Sequence, residues 1–504
     1  MSPVVSKSNE PSKAASRPQY TAVIGLEVHA QLLLQSKMFA PEPTTYGAPP
    51  NTQVSTISLA HPGTLPRINK QAIVQAIKMG LACQATITRE NYFARKNYFY
   101  PDLPKGYQIT QDKTPICQGG YLTITTPQGT DKAIRIQRMH LEEDAGKSIH
   151  GMVPDETLLD FNRAGVALLE IVTQPDIRTS AEAYQFLTEL RKLVRYLDVC
   201  NGNMEEGALR CDVNISVMPR EAITLGQKVE IKNMNAISQV RLAIEYEIAR
   251  QIGVLAAGEP VLAETRGYDA ATGQTTSQRT KESALDYRYF PEPDLLPIVV
   301  TEAWIEQVRQ HMSLLPKECY QKLVHKYQLP AYDASVLTED KEIAHFFEAL
   351  CQRTPHYKAA ANWMMGPVKA HLNQLNVSIQ AFPLRPATLA ALIDLVAQGQ
   401  LSFSVAAQQL FPALLEDPTQ APLTLAQKLD LLQEQDTSTL QTLIEEVIAA
   451  YPDKVAAYSK GKKGILGMLM GEVMKRSQGK AAPKLASDLL SKRLAVHPSH
   501  EQPA

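Results

Sequence analysis

Cysteine is scarce in this chain: six in 504 residues, at positions 83, 117, 200, 211, 319 and 351, with no Cys-x-x-Cys pair among them. That spacing excludes a zinc ribbon and a disulfide framework. Net charge is nearly absent as well, at −1 from 51 Lys and Arg against 52 Asp and Glu. Any affinity for nucleic acid must therefore come from a local patch. No apolar run reaches the length of a bilayer span. The first eighteen residues are rich in Ser, Pro and Lys and lack the apolar centre of a secretory signal. The expectation is a disordered tail over 1–19 on a soluble chain in a reducing, cytoplasmic setting.

Familiar catalytic signatures are missing too. There is no Gly-x-Ser-x-Gly elbow, no dinucleotide fingerprint and no kinase set. The nearest approach to a phosphate loop is Ala145-Gly-Lys-Ser148. It has Leu141 where the full pattern needs glycine, and three acids (Glu142, Glu143, Asp144) where an anion would lie. The pattern argues against a P-loop, so any nucleotide is held in another way.

What is present is a chain able to bury real cores, with 44% hydrophobic and 20% charged residues over a length that implies two to four domains. From Val23 to Leu32 the side chains alternate. Leu26, Val28, Ala30 and Leu32 point one way, Glu27, His29 and Gln31 the other. The same period-two pattern returns at Arg138, His140 and Glu142 against Met139 and Leu141, at Leu209 to Val217, and at Val229 and Ile231. Helical spacing marks Lys70–Leu81, a run opened by Thr179 with Glu182 as a capping box, and a run from Ile237 that stops near Gly258. The segment Arg95–Tyr107 reads as a loop mixing basic and aromatic residues. The implied fold is α+β: an antiparallel sheet, helices on one face, the other face open.

That open face is unusual. Glu27, His29, Glu142, Glu170, Arg210, Asp212, Glu230 and Lys232 all fall on polar positions, and five carboxylates on one surface repel one another unless cations sit among them. Glu170 is the sharpest of these, because it interrupts the apolar run Leu168–Val172. Taken alone it reads as a solvated edge position. Together with Glu27-x-His29 and the acids at 142 and 143 it points to a metal site for Mg²⁺ or Mn²⁺. Lys147, Arg163, Arg210 and Lys232 are the basic groups placed to take phosphates, and phosphoryl transfer asks for little beyond metal, cations and alignment.

Beyond Pro297 almost everything reads as helix, with a polar stretch at Glu416–Pro422 as a hinge. Asp453 to Arg493 carries ten Lys and Arg against three Asp and Glu. Within it, Gly464, Gly467 and Gly471 fit close helix packing, and the lysines fit a phosphate-backbone surface.

Several of these runs, in this order, resemble the B subunit of the aspartyl/glutamyl-tRNA amidotransferase, the GatB family. They are Val23-Ile-Gly-Leu-Glu-Val-His-Ala-Gln-Leu32, Arg95-Lys-Asn-Tyr-Phe-Tyr-Pro-Asp102, Leu141-Glu-Glu-Asp-Ala-Gly-Lys-Ser148, Met204-Glu-Glu-Gly207, Leu209-Arg-Cys-Asp212 and Asp286-Tyr-Arg-Tyr-Phe-Pro291. The resemblance covers nearly the whole chain after Tyr20. It implies a catalytic cradle similar in fold to glutamine synthetase over 20–298, an all-α helical domain over 299–418 and a small helical YqeY-like tail over 419–504. The last two are expected to touch tRNA.

The resemblance further implies ATP-dependent amidation of mischarged Glu-tRNA(Gln) or Asp-tRNA(Asn), within a heterotrimer with an amidase-type A subunit and a small C subunit. Catalytic roles then fall to Glu27, His29, Glu143 and Glu170. Metal ligation falls to His29, Glu142, Glu143 and Glu170, with Mg²⁺ (or Mn²⁺) as the ion. Lys147, Arg210, Asp212 and Lys232 are left for ATP, and Met204-Glu-Glu-Gly207 for the wall of the site. Where many relatives carry four zinc-binding cysteines, this chain has Ala40–Pro43 and Ser55–Ala60. No zinc is expected there, and Pro49, Pro50 and Pro62 are expected to pack the loop. The rival reading is a non-catalytic tRNA-binding scaffold using the basic tail.

Overall fold

The computed structural model describes residues 20–280, 286–433, 437–459, 461–477 and 481–496; the expected tail at 1–19 lies outside them. The chain divides into two compact units, 1–316 and 317–504.

The first unit is organised around its first strand. β1 (Tyr20–Gln31) sends Ile24, Leu26, Val28 and Ala30 into the core while Glu27, His29 and Gln31 stay half-exposed. The other strands that matter are β2 (Ala94–Asn97), β3 (Tyr107–Thr110), β4 (Asp131–Glu143), β5 (Lys147–Val153), β6 (Glu156–Asp160), β7 (Ala167–Thr173), β8 (Leu209–Pro219), β9 (Val229–Lys232), β10 (Glu264–Asp269), β11 (Gln274–Thr280) and β12 (Phe290–Pro291). They build a 13-stranded sheet whose main path runs β11-β10-β9-β8-β1-β7-β4-β3-β2-β12, with three further short strands off that path. Along the main path every pair is antiparallel except β9 with β10, which run parallel. β5 and β6 form a separate hairpin.

Helices α1 (Lys70–Ala82), α2 (Ser180–Tyr196), α3 (Ile237–Ala256) and α4 (Glu302–Gln310) supply the apolar cover. α2 starts as its sequence requires: the Thr179 hydroxyl accepts from Glu182 N at 3.1 Å. Its core stripe of Phe186, Leu187, Leu190 and Val194 is fully buried. Each such side chain contributes about 1.5–3 kcal/mol, and Phe186→Ala would cost about 3–5 kcal/mol. Gly258 ends α3 with φ +78, a left-handed stop that glycine adopts freely.

Three sequence expectations need correction here. Arg95–Tyr107 is not all loop: Ala94–Asn97 pairs antiparallel with Tyr107–Thr110, because its backbone is completed by a neighbour its side chains do not announce. The loop after β1 does not rest on its prolines, since Pro49, Pro50 and Pro62 are all exposed. Polar burial holds it instead. Lys37 is fully buried with its Nζ 3.7 Å from Glu42 Oε1 and 3.4 Å from Phe161 O, and the Ser58 hydroxyl donates to the same Glu42 oxygen. Nor do Gly464, Gly467 and Gly471 mark a close helix contact, because a Cβ at any of them would meet open space. Leu469 and Val473, on the other side of that helix, make the core contact.

In the second unit one apolar core runs from Leu323 to Ala426, past the polar Glu416–Pro422 stretch. It is centred on Trp363, whose ring lies 5.2 Å from Phe403 and 5.5 Å from Phe411. A smaller core spans Leu440 to Leu494 on the helices Thr437–Ala450, Ile465–Arg476 and Pro483–Val496.

Candidate active site

Strand register decides which polar residues meet. β1 lies between β7 and β8, with His29 opposite Glu170 on one side and opposite Arg210 on the other, and Glu27 opposite Asp212. One strand further, Glu170 faces His140 and Asn214 faces Glu230. Thr110 on β3 faces Glu142. Directly opposite residues share a face of the sheet, so neighbouring strands deliver one continuous polar row. It lines a cavity of about 440 Å³.

Two triads stand out in it. Donor atoms of His29, Glu142 and Glu170 lie within 4.8 Å of one another, and so do those of Glu27, Asp212 and Glu230. His29 Nε2 is 3.4 Å from Glu170 Oε2 and 3.7 Å from Glu142 Oε1. Beneath it His140 Nε2 is 3.2 Å from Glu170 Oε2 and 3.5 Å from Glu142 Oε2. In the second triad Lys232 reaches Asp212 and lies 3.1 Å from Glu230 Oε1, while Asn214 Nδ2 donates to Glu27 Oε1 at 2.7 Å.

The titration behaviour follows from this crowding. Burial alone would lower both imidazoles, yet the two carboxylates outweigh it, raising His29 above its ordinary value and His140 to about 9. Burial likewise opposes ionisation of Glu142 and Glu170, but the histidines hold both carboxyls below the usual range. Lys232 is stabilised in its charged form, since Asp212 and Glu230 override its burial.

Carboxylate oxygens with one imidazole form a donor set for a hard divalent cation, and a cation between them relieves the repulsion of clustered anions. His29, Glu142 and Glu170 fit one ion, and Glu27, Asp212 and Glu230 fit another. Buried Arg138 Nε, in the cavity wall, has no hydrogen-bond partner among the described residues.

The sequence-predicted residues divide accordingly. Glu27, His29, Glu142, Glu170, Asp212 and Lys232 line the cavity. Arg210 lines an adjoining hollow, its Nη2 2.9 Å from Asp144 Oδ2. Glu143 does not join the metal group: strand alternation turns it to the opposite face from Glu142, where it takes a hydrogen bond from Lys105 Nζ at 2.6 Å and from Ile109 N at 2.9 Å. Lys147 is also elsewhere, exposed at the start of the β5 hairpin, because the chain turns away after Glu143. Met204 is buried in the apolar core, so Met204-Glu-Glu-Gly207 is a turn beside the sheet.

Sequence reasoning put Glu230 on the acidic face and His140 on the face of Glu142 without giving either a role, and it did not single out Asp144 for the site. His140 and Glu230 carried a usable signal, since each alternates with a chosen residue on its own strand. Asp144 did not, because its role rests on the distant Arg210 and on Gln31, whose Nε2 donates to it at 3.1 Å.

Comparison with known proteins bears on the family of the chain. The family described as GatB/GatE catalytic domain matches residues 22–306, and the one described as GatB domain, of the YqeY type, matches residues 345–494. The B subunit of the aspartyl/glutamyl-tRNA(Asn/Gln) amidotransferase from Thermosynechococcus vestitus is 46% identical over 484 residues, covering 94% of this chain and 96% of the relative. Its counterpart in Nitrosococcus oceani is 46% identical over 478 residues, covering 95% and 100%. That of Paraburkholderia phytofirmans is 45% identical over 489 residues, covering 95% and 99%. With matching domains in the same order and such relatives along nearly its full length, the chain belongs to the family of amidotransferase B subunits.

Proposed function

We propose that this chain is the phosphorylating and amidating subunit of a tRNA-dependent amidotransferase, acting on glutamyl-tRNA(Gln), aspartyl-tRNA(Asn) or both. The observation that carries the reading is the pair of acid triads side by side on one sheet face, with Lys232, Arg138 and Arg210 around them.

The chemistry needs such a site. A side-chain carboxylate does not react with ammonia, because oxide is too poor a leaving group. Attack of a carboxylate oxygen on the γ-phosphorus of ATP expels ADP and leaves an acyl phosphate. Ammonia then adds to the carbonyl carbon, phosphate departs, and a proton is lost to give the amide.

Divalent cations held by His29, Glu142 and Glu170 and by Glu27, Asp212 and Glu230 would neutralise charge on the transferring phosphoryl group. Lys232 and Arg138 are placed to bind phosphate oxygens, and preorganised cations cost no rearrangement as charge develops. His140 orients Glu170 and Glu142 from below, in the manner of an outer-shell partner that fixes its ligands. No glutaminase nucleophile is apparent in the sequence, so ammonia is assigned to an amidase-type A subunit, with a small C subunit bracing the pair and basic positions of the second unit contacting tRNA.

The test is amide formation on both mischarged tRNAs by the reconstituted complex. His29→Ala and Glu170→Ala should each lower the rate by about a hundredfold or more, in line with the loss of metal-holding groups. Undiminished amidation by both variants would remove the site from the reaction and favour the scaffold reading.

A further inference from the structure

The cavity that holds the acid triads has an aromatic end to which the phosphoryl chemistry gives no task. Tyr287 and Tyr289 line it together with Lys96 and Arg138. Their segment leads into β12, the last strand of the sheet path, whereas Lys232 comes from β9 near the other end of that path. The sheet twists and curves until strands distant in order wall one cavity.

Main-chain and charged contacts hold the tyrosines there. Asn97 on β2 donates from its backbone N to Tyr287 O at 3.0 Å and from its side chain to Arg288 O at 2.8 Å. Phe290 then pairs with Arg95. Arg95 in turn forks onto the buried Glu292 at 2.7 and 2.9 Å and lies 4.3 Å over the Tyr107 ring. Between the two tyrosines Arg288 takes φ +44, a left-handed conformation that is costly and persists where the surroundings over-determine the backbone. Tyr289 remains 40% exposed. Its ring stands edge-on to Tyr287, at 69° with centroids 6.0 Å apart, and Lys96 Nζ lies 4.9 Å over the Tyr287 ring. Burial, then Asp112 and Glu142, push the Tyr289 phenol up to about 12, so the ring stays neutral beside the carboxylates.

An open aromatic face with an edge-on neighbour and a cation suits an unpaired base, which stacks on the ring while the ammonium takes an adjoining phosphate. The direction of transfer decides which base. Attacking and leaving oxygens lie roughly in line on opposite sides of the phosphorus. With the nucleotide's phosphates toward Lys232, the acceptor carboxylate arrives from the other end, past Tyr289. That carboxylate belongs to an amino acid esterified to the terminal adenosine of a tRNA, so an unpaired adenine follows it one ribose and one ester away. We propose that Tyr289, with Tyr287 at its edge and Lys96 behind, stacks the terminal adenine of the mischarged tRNA and so positions the side-chain carboxylate at the triads. The inference rests on the reading of the triads as the phosphoryl-transfer site.

The test is equilibrium binding to the reconstituted complex of 3′-deoxy-3′-aminoacylamino-adenosine, a stable amide analogue of the tRNA end, made with glutamate and with aspartate. The same compounds with hydrogen in place of the base are the comparison. The complex should prefer the base-bearing form about tenfold. Tyr289→Ala should abolish that preference by weakening the base-bearing form alone, and Tyr289→Phe should keep it. Equal binding of the two forms to the unaltered complex, or equal weakening of both by Tyr289→Ala, overturns the assignment. So does loss of the partner subunits from the Tyr289→Ala complex on size exclusion, which would make the aromatic end a subunit contact. His29→Ala and Glu170→Ala are the separate control, since they should depress amidation and leave the preference for the base intact. Undiminished amidation in both would sink the triad reading alone, and a preference lost in both would sink the adenine assignment alone.

Discussion

Replacing Glu170 with glutamine tests the electrostatics of the site in the metal-free chain. His140 sits between two carboxylates at 3.2 and 3.5 Å. Although its burial pulls the other way, they raise its pKa from 6.5 to about 9. A folded pKa above the unfolded one means that the protonated imidazole stabilises the fold. The contribution is complete below pH 6.5 and is lost as pH rises through 9. For this buried group the difference corresponds to about 3 kcal/mol. His29 is raised as well and adds in the same direction.

Glu170→Gln keeps the shape of the side chain but removes one of the two anions, so the loss of stability across this window should shrink by roughly half. Urea unfolding at fixed ionic strength from pH 6 to 10, in the presence of a chelator, measures the stability profile. Imidazole NMR titration reports the pKa directly. A wild-type profile that is flat between pH 6.5 and 9, or a variant profile matching a steep wild-type one, would refute the reasoning.

Three further outcomes follow from packing. Glu42→Ala leaves the buried Lys37 ammonium without its partner and should cost about 3–5 kcal/mol in urea unfolding, whereas Lys37→Met combined with Glu42→Leu should recover most of it. Gly80→Ala puts a Cβ 2.4 Å from Ile87 Cδ1 and 2.6 Å from Cys117 Sγ inside the core, and should destabilise by about 1–3 kcal/mol; a neutral result would mean that this contact can relax. Thr179→Ala removes the cap of α2 and should lower stability by about 1 kcal/mol, read as a shift in the urea midpoint at constant slope.

How much of this was legible in the chain depends on the length scale of each signal. The alternation in Tyr20–Gln31 and the helical stripe of Ser180–Tyr196 are local and read directly, as does the choice of Glu27, His29, Glu142 and Glu170 for one face. Glu143 was misassigned because a run of adjacent acids looks like one cluster, whereas a strand sends alternate members to opposite faces. Lys147 was misassigned because a turn at Asp144–Gly146, pinned by Gly146 N donating to Asp102 O at 2.8 Å, carries it away. The order of β9, β10 and β11 in the sheet was invisible, since no periodicity encodes which strands become neighbours. Lys37 shows the same limit: a lysine in a proline-rich loop reads as solvated, and only the distant Phe161 carbonyl and Glu42 explain its burial.

The central place of β1 has a consequence for synthesis. This strand leaves the ribosome before the rest of the sheet, yet its two partners, β7 and β8, begin at Ala167 and Leu209. Until well over a hundred further residues have emerged, both of its edges are unpaired and its apolar side chains uncovered. Long-range pairings of this kind fold slowly and leave strand edges open to wrong partners. The yield of native protein should therefore depend on translation speed and on holdase chaperones far more than its final stability would imply.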